Sequence, residues 1–165
     1  MAEPGDASEL LSIYRPIVEK TAVSFESAAP SVVEFAKRIE AITATHIWLV
    51  GEAGGVVVGY AYASPHRSRD AYKYSVETSA YIRSGIHGQG LGTCLYERLF
   101  DDLLKLEYYN AFAAITLPNA ASIALHKKVG FESVGTFRSV GFKFGQWHDV
   151  SWWHRSIKAG SPKSN

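Results

Sequence analysis

Ile86-His87-Gly88-Gln89-Gly90-Leu91-Gly92-Thr93 puts three glycines within five residues, at a point where the periodicity of the chain changes. Upstream, Val76-Glu77-Thr78-Ser79-Ala80-Tyr81-Ile82 is rich in β-branched and aromatic residues and reads as a strand. Downstream, Leu91, Leu95, Leu99, Leu103 and Leu106 recur at helical spacing, with Tyr96 in the same stripe. A glycine-rich turn that opens a helix leaves backbone N–H groups unpaired at the positive end of the helix dipole. Such a turn is an anion site, and most readily a diphosphate site. The run is not a dinucleotide fingerprint, because its sixth place is Thr93 and no repeated β–α–β unit precedes it. Nor is it a P-loop, since no lysine follows Gly90 or Gly92. A turn that merely reverses the chain is the plainer alternative, and the long amphipathic helix that follows at once argues against it.

On the N-terminal side, Asp6 or Ser8 can cap a helix carrying Leu10, Leu11, Ile13, Tyr14, Ile17 and Val18. Residues Phe25 to Ala29 form a connecting loop, and Pro30 and Ser31 open a second helix through Phe35, Ile39 and Ile42. Ile47–Val50 and Val56–Ala63 are predicted to pair as a hairpin turning at Gly54-Gly55, and a polar stretch from Ser64 to Lys73 leads to the strand around Glu77. On the C-terminal side, Ala111–Leu117 reads as a buried strand. Asn119 caps a short helix that ends at Gly130, and Phe131 to Ile157 forms an aromatic hairpin turning near Gly145. Hairpins at both ends and one β–α–β passage between them give an α/β domain around a mixed sheet.

With 165 residues the chain makes one domain, expected to span 1–158, with 159–165 as a disordered tail. Lys+Arg 17 against Asp+Glu 16 gives no electrostatic reason to expect nucleic acid or an anionic membrane as partner. No apolar run approaches the ~20 residues that span a bilayer. The acidic, polar N-terminus reads as neither a signal nor a transit peptide, so the expected location is cytoplasmic. The single Cys94 excludes an intramolecular disulfide and a cysteine-rich zinc site, and reads as small buried filler. His66 and His148 have no second ligand at metal spacing, so no metal is expected.

The order strand, glycine-rich turn, helix, strand, Asn-capped helix and Gly130-Phe131 resembles the GNAT superfamily of N-acetyltransferases. The acyl-CoA signature of that superfamily, Arg/Gln-x-x-Gly-x-Gly/Ala, is matched from His87 through Gly90 to Gly92, with His87 departing from the usual Arg or Gln. Several further blocks are similar to the phosphinothricin and methionine sulfoximine acetyltransferases: Ser24-Phe25, Gly59-Tyr60-Ala61-Tyr62-Ala63, Arg67-x-Arg69-x-Ala71-Tyr72, Val76-Glu77, and Leu117-Pro118-Asn119 with Leu125-His126. The most specific is Gly141-Phe142-Lys143-x-Gly145-x-Trp147-His148-Asp149-Val150. The resemblance runs from about Leu10 to Ile157, and the opening strand of the family is absent here or cut to a stub.

The resemblance implies a mostly antiparallel sheet of about six or seven strands flanked by helices. The cofactor cleft would lie between its two central parallel strands. It also implies acetyl-CoA as cosubstrate, direct transfer in a ternary complex to the amine of a small amino acid analogue, and a homodimer. The diphosphate would rest on the N–H groups of His87, Gly88, Gln89, Gly90, Leu91, Gly92 and Thr93. The backbone of Ala80, Tyr81 and Ile82 would pair with the pantetheine arm, and Asn119 would complete the cofactor site. Glu77 would be the general base and His126 a catalytic histidine serving the departing thiolate. Arg67 and Arg69 would bind a carboxylate or phosphinate, with Phe25, Tyr72, Thr116 and Val150 as pocket walls.

Simple chemistry bears on these roles. A free glutamate titrates near ~4.3, far below an ammonium, and burial beside Val76 and Tyr81 would narrow the gap. Strand alternation puts Glu77 on one face with Ser75, Ser79 and Tyr81. Paired arginines predict an anionic acceptor, whereas a polyamine would call for an acidic pocket. A different small amine, a peptide N-terminus, or a non-catalytic acyl-CoA sensor are the alternatives. Trp147, Trp152 and Trp153 are expected either to bury on the sheet or to mark a subunit contact.

Overall fold

Local chemistry sets the helices in the computed structural model, which describes residues 1–86 and 88–162. Helix α1 spans Ala7–Lys20, with Asp6 at its N-cap. Helix α2 spans Val32–Thr43 and starts with a capping box, in which Ser31 Oγ accepts from Glu34 N–H while the Glu34 carboxylate takes the Ser31 N–H. Helix α3 covers Leu91–Lys105, and α4 covers Ala120–Lys128 behind an Asn119 cap. Strands β1 (Trp48–Ala53) and β2 (Val56–Pro65) turn at Gly54 and Gly55, both at positive φ, as the predicted hairpin requires. Strand β3 is Ser75–Ile82, β4 is Asn110–Thr116, β5 is Glu132–Lys143 and β6 is Gln146–Ser156.

These six strands, counted among the described residues, form one sheet in the order β1-β2-β3-β4-β6-β5. Every neighbouring pair is antiparallel except β3 and β4, which meet only at Ser75↔Asn110, Val76↔Ala111 and Glu77↔Phe112. Beyond Glu77 the two strands part. β3 continues to Ile82 bonded only to β2, and β4 continues to Thr116 bonded only to β6. At the start of the chain, Ala2 N–H donates to the Trp48 carbonyl and its methyl group is buried.

One face of the sheet packs α3, burying Leu95, Tyr96, Leu99 and Leu103 against Ala61, Ala63, Val76, Ala111, Ala113 and Trp153. The opposite face carries α1 and α2, with Leu10, Leu11, Tyr14, Phe35 and Ile39 on Trp48, Val57 and Tyr60. At about 1.5–3 kcal/mol per large apolar side chain, these two layers supply the main drive to fold. The second layer stops at β3. Phe112, Val150 and Trp152 on the same face lie beyond α1 and α2, and this half-covered region becomes the site. Near the C-terminus the Ser161 carbonyl accepts from Tyr109 Oη at 3.2 Å.

Ser31 tests the local argument. Replacing it with Ala removes the reciprocal cap and is expected to cost about 1 kcal/mol. Urea denaturation should show that loss as a lower midpoint.

Candidate active site

The parting of β3 from β4 opens a cavity of about 530 Å³. Ala80, Tyr81 and Ile82 form one wall, the glycine turn the mouth, and α4 the far side. Gly88 and Gly90 have φ of 83° and 81°, so both need glycine, and a Cβ on either would meet no atom within 4 Å. Gly92 serves a different purpose: a Cβ there would come within 2.9 Å of Leu125, so glycine lets α3 approach α4. Gly90 is the N-cap of α3 and has no side chain to cap with, and among the described residues the Gly92 and Thr93 N–H groups have no acceptor. Two backbone donors at a helix N-terminus therefore face the cavity.

Gly88, Gly90, Leu91, Gly92, Thr93 and Asn119 line the cavity as the sequence led us to expect, whereas Gln89 does not. His87 lies outside the described residues. The sequence reading missed Thr21 and Val23 from the end of α1, and Ala121, Ala124, Leu125 and Lys128 from α4. The α4 set follows i, i+3, i+4, i+7 spacing, so one helical face was legible once its partner was known.

Glu77 stands at the apex of the split, on the sheet face away from α3, and not on the wall of the cavity itself. The expected burial is not found. Val76 points to the opposite face, into the α3 core, and the Glu77 side chain is 31% exposed. Its Oε1 is held instead by two donors, His66 Nδ1 at 2.9 Å and Arg67 Nη1 at 3.1 Å. His66 carried no role in the sequence reading. Its signal was the strand register: Ser64 pairs with Glu77, so residue 66 falls diagonally across on the same face. Arg67 also lies 5.7 Å from the Trp152 ring centroid. Tyr72 touches His66 edge-on, and Thr116 and Val150 are paired, buried neighbours on β4 and β6. Arg69 is exposed and precedes the 3₁₀ turn Asp70–Tyr72.

The loop between α1 and α2 closes this face, and the Lys143-x-Gly145-x-Trp147-His148 block is what holds it. Lys143 is buried, and its Nζ donates to the carbonyls of Val18, Thr21 and Ser24 at 2.7, 3.0 and 2.7 Å. Burial draws its pKa below the usual lysine range, opposed by the charge of Glu26. His148 is within 3.1 Å of the Lys143 carbonyl. Gly141 leaves the space that the Phe25 ring fills, since a Cβ there would fall 2.1 Å from Phe25. At the other end of the loop, Glu26 takes a bidentate bond from Arg38 and a third from Tyr14 Oη. The Arg38 bonds hold its carboxyl below the usual carboxylate range.

His126 lies on the cavity wall and is buried. Nδ1 sits 2.8 Å from the Ser122 carbonyl and Nε2 2.9 Å from Tyr96 Oη. The carbonyl can only accept, so Nδ1 carries the proton and Nε2 accepts from the tyrosine. Burial pushes the Tyr96 pKa well up, which keeps that O–H protonated, and burial lowers the His126 pKa against the raising effect of Ser122. Cys94 is a correction: it is exposed, not buried filler, because the first turn of α3 faces outward at that position.

A sheet split between two parallel strands, open backbone donors at the mouth of the split and a carboxylate at its apex define an acyltransferase architecture. The chain belongs to the acetyltransferase (GNAT) domain family, whose profile matches residues 1–152. It is 34% identical to the phosphinothricin N-acetyltransferase of Streptomyces viridochromogenes over 161 residues, 98% of this chain and 88% of that one. Over 103 residues, 62% of this chain and 60% of the other, it is 42% identical to the L-methionine sulfoximine/L-methionine sulfone acetyltransferase of Salmonella typhimurium. The crystal structure of a Sinorhizobium meliloti phosphinothricin acetyltransferase in complex with acetyl-CoA superposes with a TM-score of 0.90 at 35% identity, covering 94% of this chain and 85% of that one.

The buried imidazole makes stability depend on pH. Because the folded ring titrates below the ordinary ~6.5, the unfolded chain takes up its proton first as pH falls. The stability contributed by the neutral ring is complete above about pH 6.5 and is lost below it, toward the folded-state value. Denaturation midpoints should therefore fall between pH 7 and pH 5.5, and His126→Gln should flatten that slope.

Proposed function

We propose that the chain is an acetyl-CoA-dependent N-acetyltransferase acting on the amino group of a small, anionic amino acid analogue, of the phosphinothricin or methionine sulfoximine type. The observation that carries this reading is the pairing of open amide donors at the mouth of one cleft with Glu77 and Arg67 at its apex. The names of the relatives and the acetyl-CoA complex of the Sinorhizobium structure support it. The unit that carries the function is residues 1–158.

Acetyl-CoA supplies the acyl group as a thioester. The amides of Gly88, Gly90, Leu91, Gly92 and Thr93 would hold its diphosphate, with Asn119 beside them, whereas Gln89 does not line the cavity and His87 is outside the described residues. Ala80, Tyr81 and Ile82 present the strand edge that β4 leaves unpaired, which suits the amides of a pantetheine arm. Glu77 accepts a proton from the acceptor ammonium, leaving the nitrogen lone pair to attack. His126 serves the sulfur side. The neutral ring carries its proton on Nδ1, committed to the Ser122 carbonyl, so it would leave Tyr96, take a proton on Nε2 from solvent and then give that proton to the thiolate.

Arg67 and Arg69 take the acid group of the acceptor. The Arg67–Glu77 pair is half-exposed and worth about 1 kcal/mol or less, so an incoming carboxylate or phosphinate can draw the guanidinium to itself. Phe25, Tyr72, Thr116 and Val150 close the pocket around it. Two cations beside the carboxylate disfavour a polyamine.

The assembly we propose is a homodimer through β5. Val134, Phe137, Val140, Phe142, Phe144 and Trp147 are each more than half exposed and cluster on this edge hairpin, while Trp153 is buried in the α3 layer. An apolar patch of that kind suits a second copy of the chain. The location we propose is the cytoplasm. Among the described residues no helix is long and apolar enough to cross a membrane, and the exposed single thiol suits a reducing compartment.

Mixing the protein with acetyl-CoA and methionine sulfoximine should release free thiol. Glu77→Gln should lower turnover by roughly 10²- to 10⁴-fold while calorimetry still detects coenzyme binding. Thiol release no faster than the buffer blank, with the coenzyme bound, would rule out this acceptor class. Light scattering should report a dimer for the wild type and a monomer for Phe142→Asp.

A further inference from the structure

We propose that His66 is the positioning residue of the base: its ring holds Oε1 of Glu77 so that Oε2 remains available to the acceptor amine. The inference rests on the reading of Glu77 as general base. Three features of the structure carry it. His66 Nδ1 lies 2.9 Å from Glu77 Oε1, and among the described residues Oε2 has no hydrogen-bond partner. The ring is clamped, stacked on Phe112 at 4.4 Å and 17° and met edge-on by Tyr72 and Trp152. The β2–β3 ladder extends past its last pair, Pro65↔Val76, through a bond from His66 N–H to the Ser75 carbonyl, so the backbone of residue 66 is set against that of the base.

Of the two donors on Oε1, only His66 is built to stay. Its side chain is 12% exposed, against 53% for Arg67. Arg67 is a long, solvated side chain that an anionic acceptor can draw away. When it leaves, the carboxylate keeps its orientation only if the other donor holds. The carboxylate can only accept, so the shared proton sits on Nδ1 of the ring. Oε2 then takes the proton of the acceptor: the N–H bond breaks, an O–H bond forms on Glu77, and the lone pair stays on nitrogen. A carboxylate free to rotate after Arg67 departs would present Oε2 only part of the time, and misplacement of a reacting group by about 1 Å costs up to ~10²-fold in rate.

His66→Phe keeps the stack on Phe112 and removes the donor, and His66→Asn restores an N–H near the place of Nδ1. His66→Phe should lower kcat by roughly ten- to hundred-fold with KM for acetyl-CoA unchanged, and His66→Asn should recover most of the loss. In the Glu77→Gln background His66→Phe should cost nothing further. Long-range proton–nitrogen correlation spectra of the full chain should show His66 protonated at Nδ1, a readout that needs no turnover and no variant. Wild-type kcat in His66→Phe, no recovery in His66→Asn, or a bare Nδ1 would each overturn the proposal. If Glu77→Gln itself kept full turnover, the base reading would fail instead, and the two failures are thereby told apart.

Discussion

The loss of pairing between β3 and β4 after Glu77↔Phe112 is the constraint on which the rest of this molecule depends. A parallel pair that ran its full length would bury the edges of Ala80–Ile82 in a ladder and leave no room beneath the N-terminus of α3. Because the ladder stops after three pairs, one strand edge and one helix end open into the same cavity, each with unmet backbone hydrogen-bonding groups. Unmet groups of that kind are costly when buried and useful when a ligand meets them. The glycines at 88, 90 and 92 serve this geometry in two ways, two by accepting positive φ and one by letting α3 approach α4.

Around the split, the polar core is arranged to hold loops. Lys143 donates from the β5–β6 hairpin to three carbonyls at and beyond the end of α1, and Glu26 joins the following loop to α1 and α2 through Tyr14 and Arg38. A buried ammonium whose three donors are all used is stable where it sits, whereas its loss would strand three carbonyls. The block of residues around Lys143 that most distinguishes the sequence is thus chiefly a brace for the loop that bears Phe25.

Two histidines sit in different surroundings, His126 on α4 and His66 just past the end of β2. His126 is buried with a backbone acceptor and a tyrosine donor, and burial lowers its pKa. His66 is clamped between aromatic rings against a carboxylate. Their surroundings set the roles of the two rings, since both side chains are chemically the same and each stands next to residues that give no hint of its partner.

The helices, the hairpins, the glycine turn that opens α3 and the presence of a carboxylate on a strand were legible from residue type and period alone, because caps, glycine turns and stripes act over a few residues. Membership of the acetyltransferase family was legible too, through blocks whose spacing survives. The partners of Glu77, the exposure of Cys94 and the meaning of Lys143 were not. Each depends on which strand lies beside which, and on register between residues 11 to 125 positions apart. Side-chain contacts across a sheet change face with a single-residue slip, so a linear reading that leaves register open cannot pair His66 with Glu77. The chain spells out its elements and its chemistry; the packing of those elements chooses which groups meet.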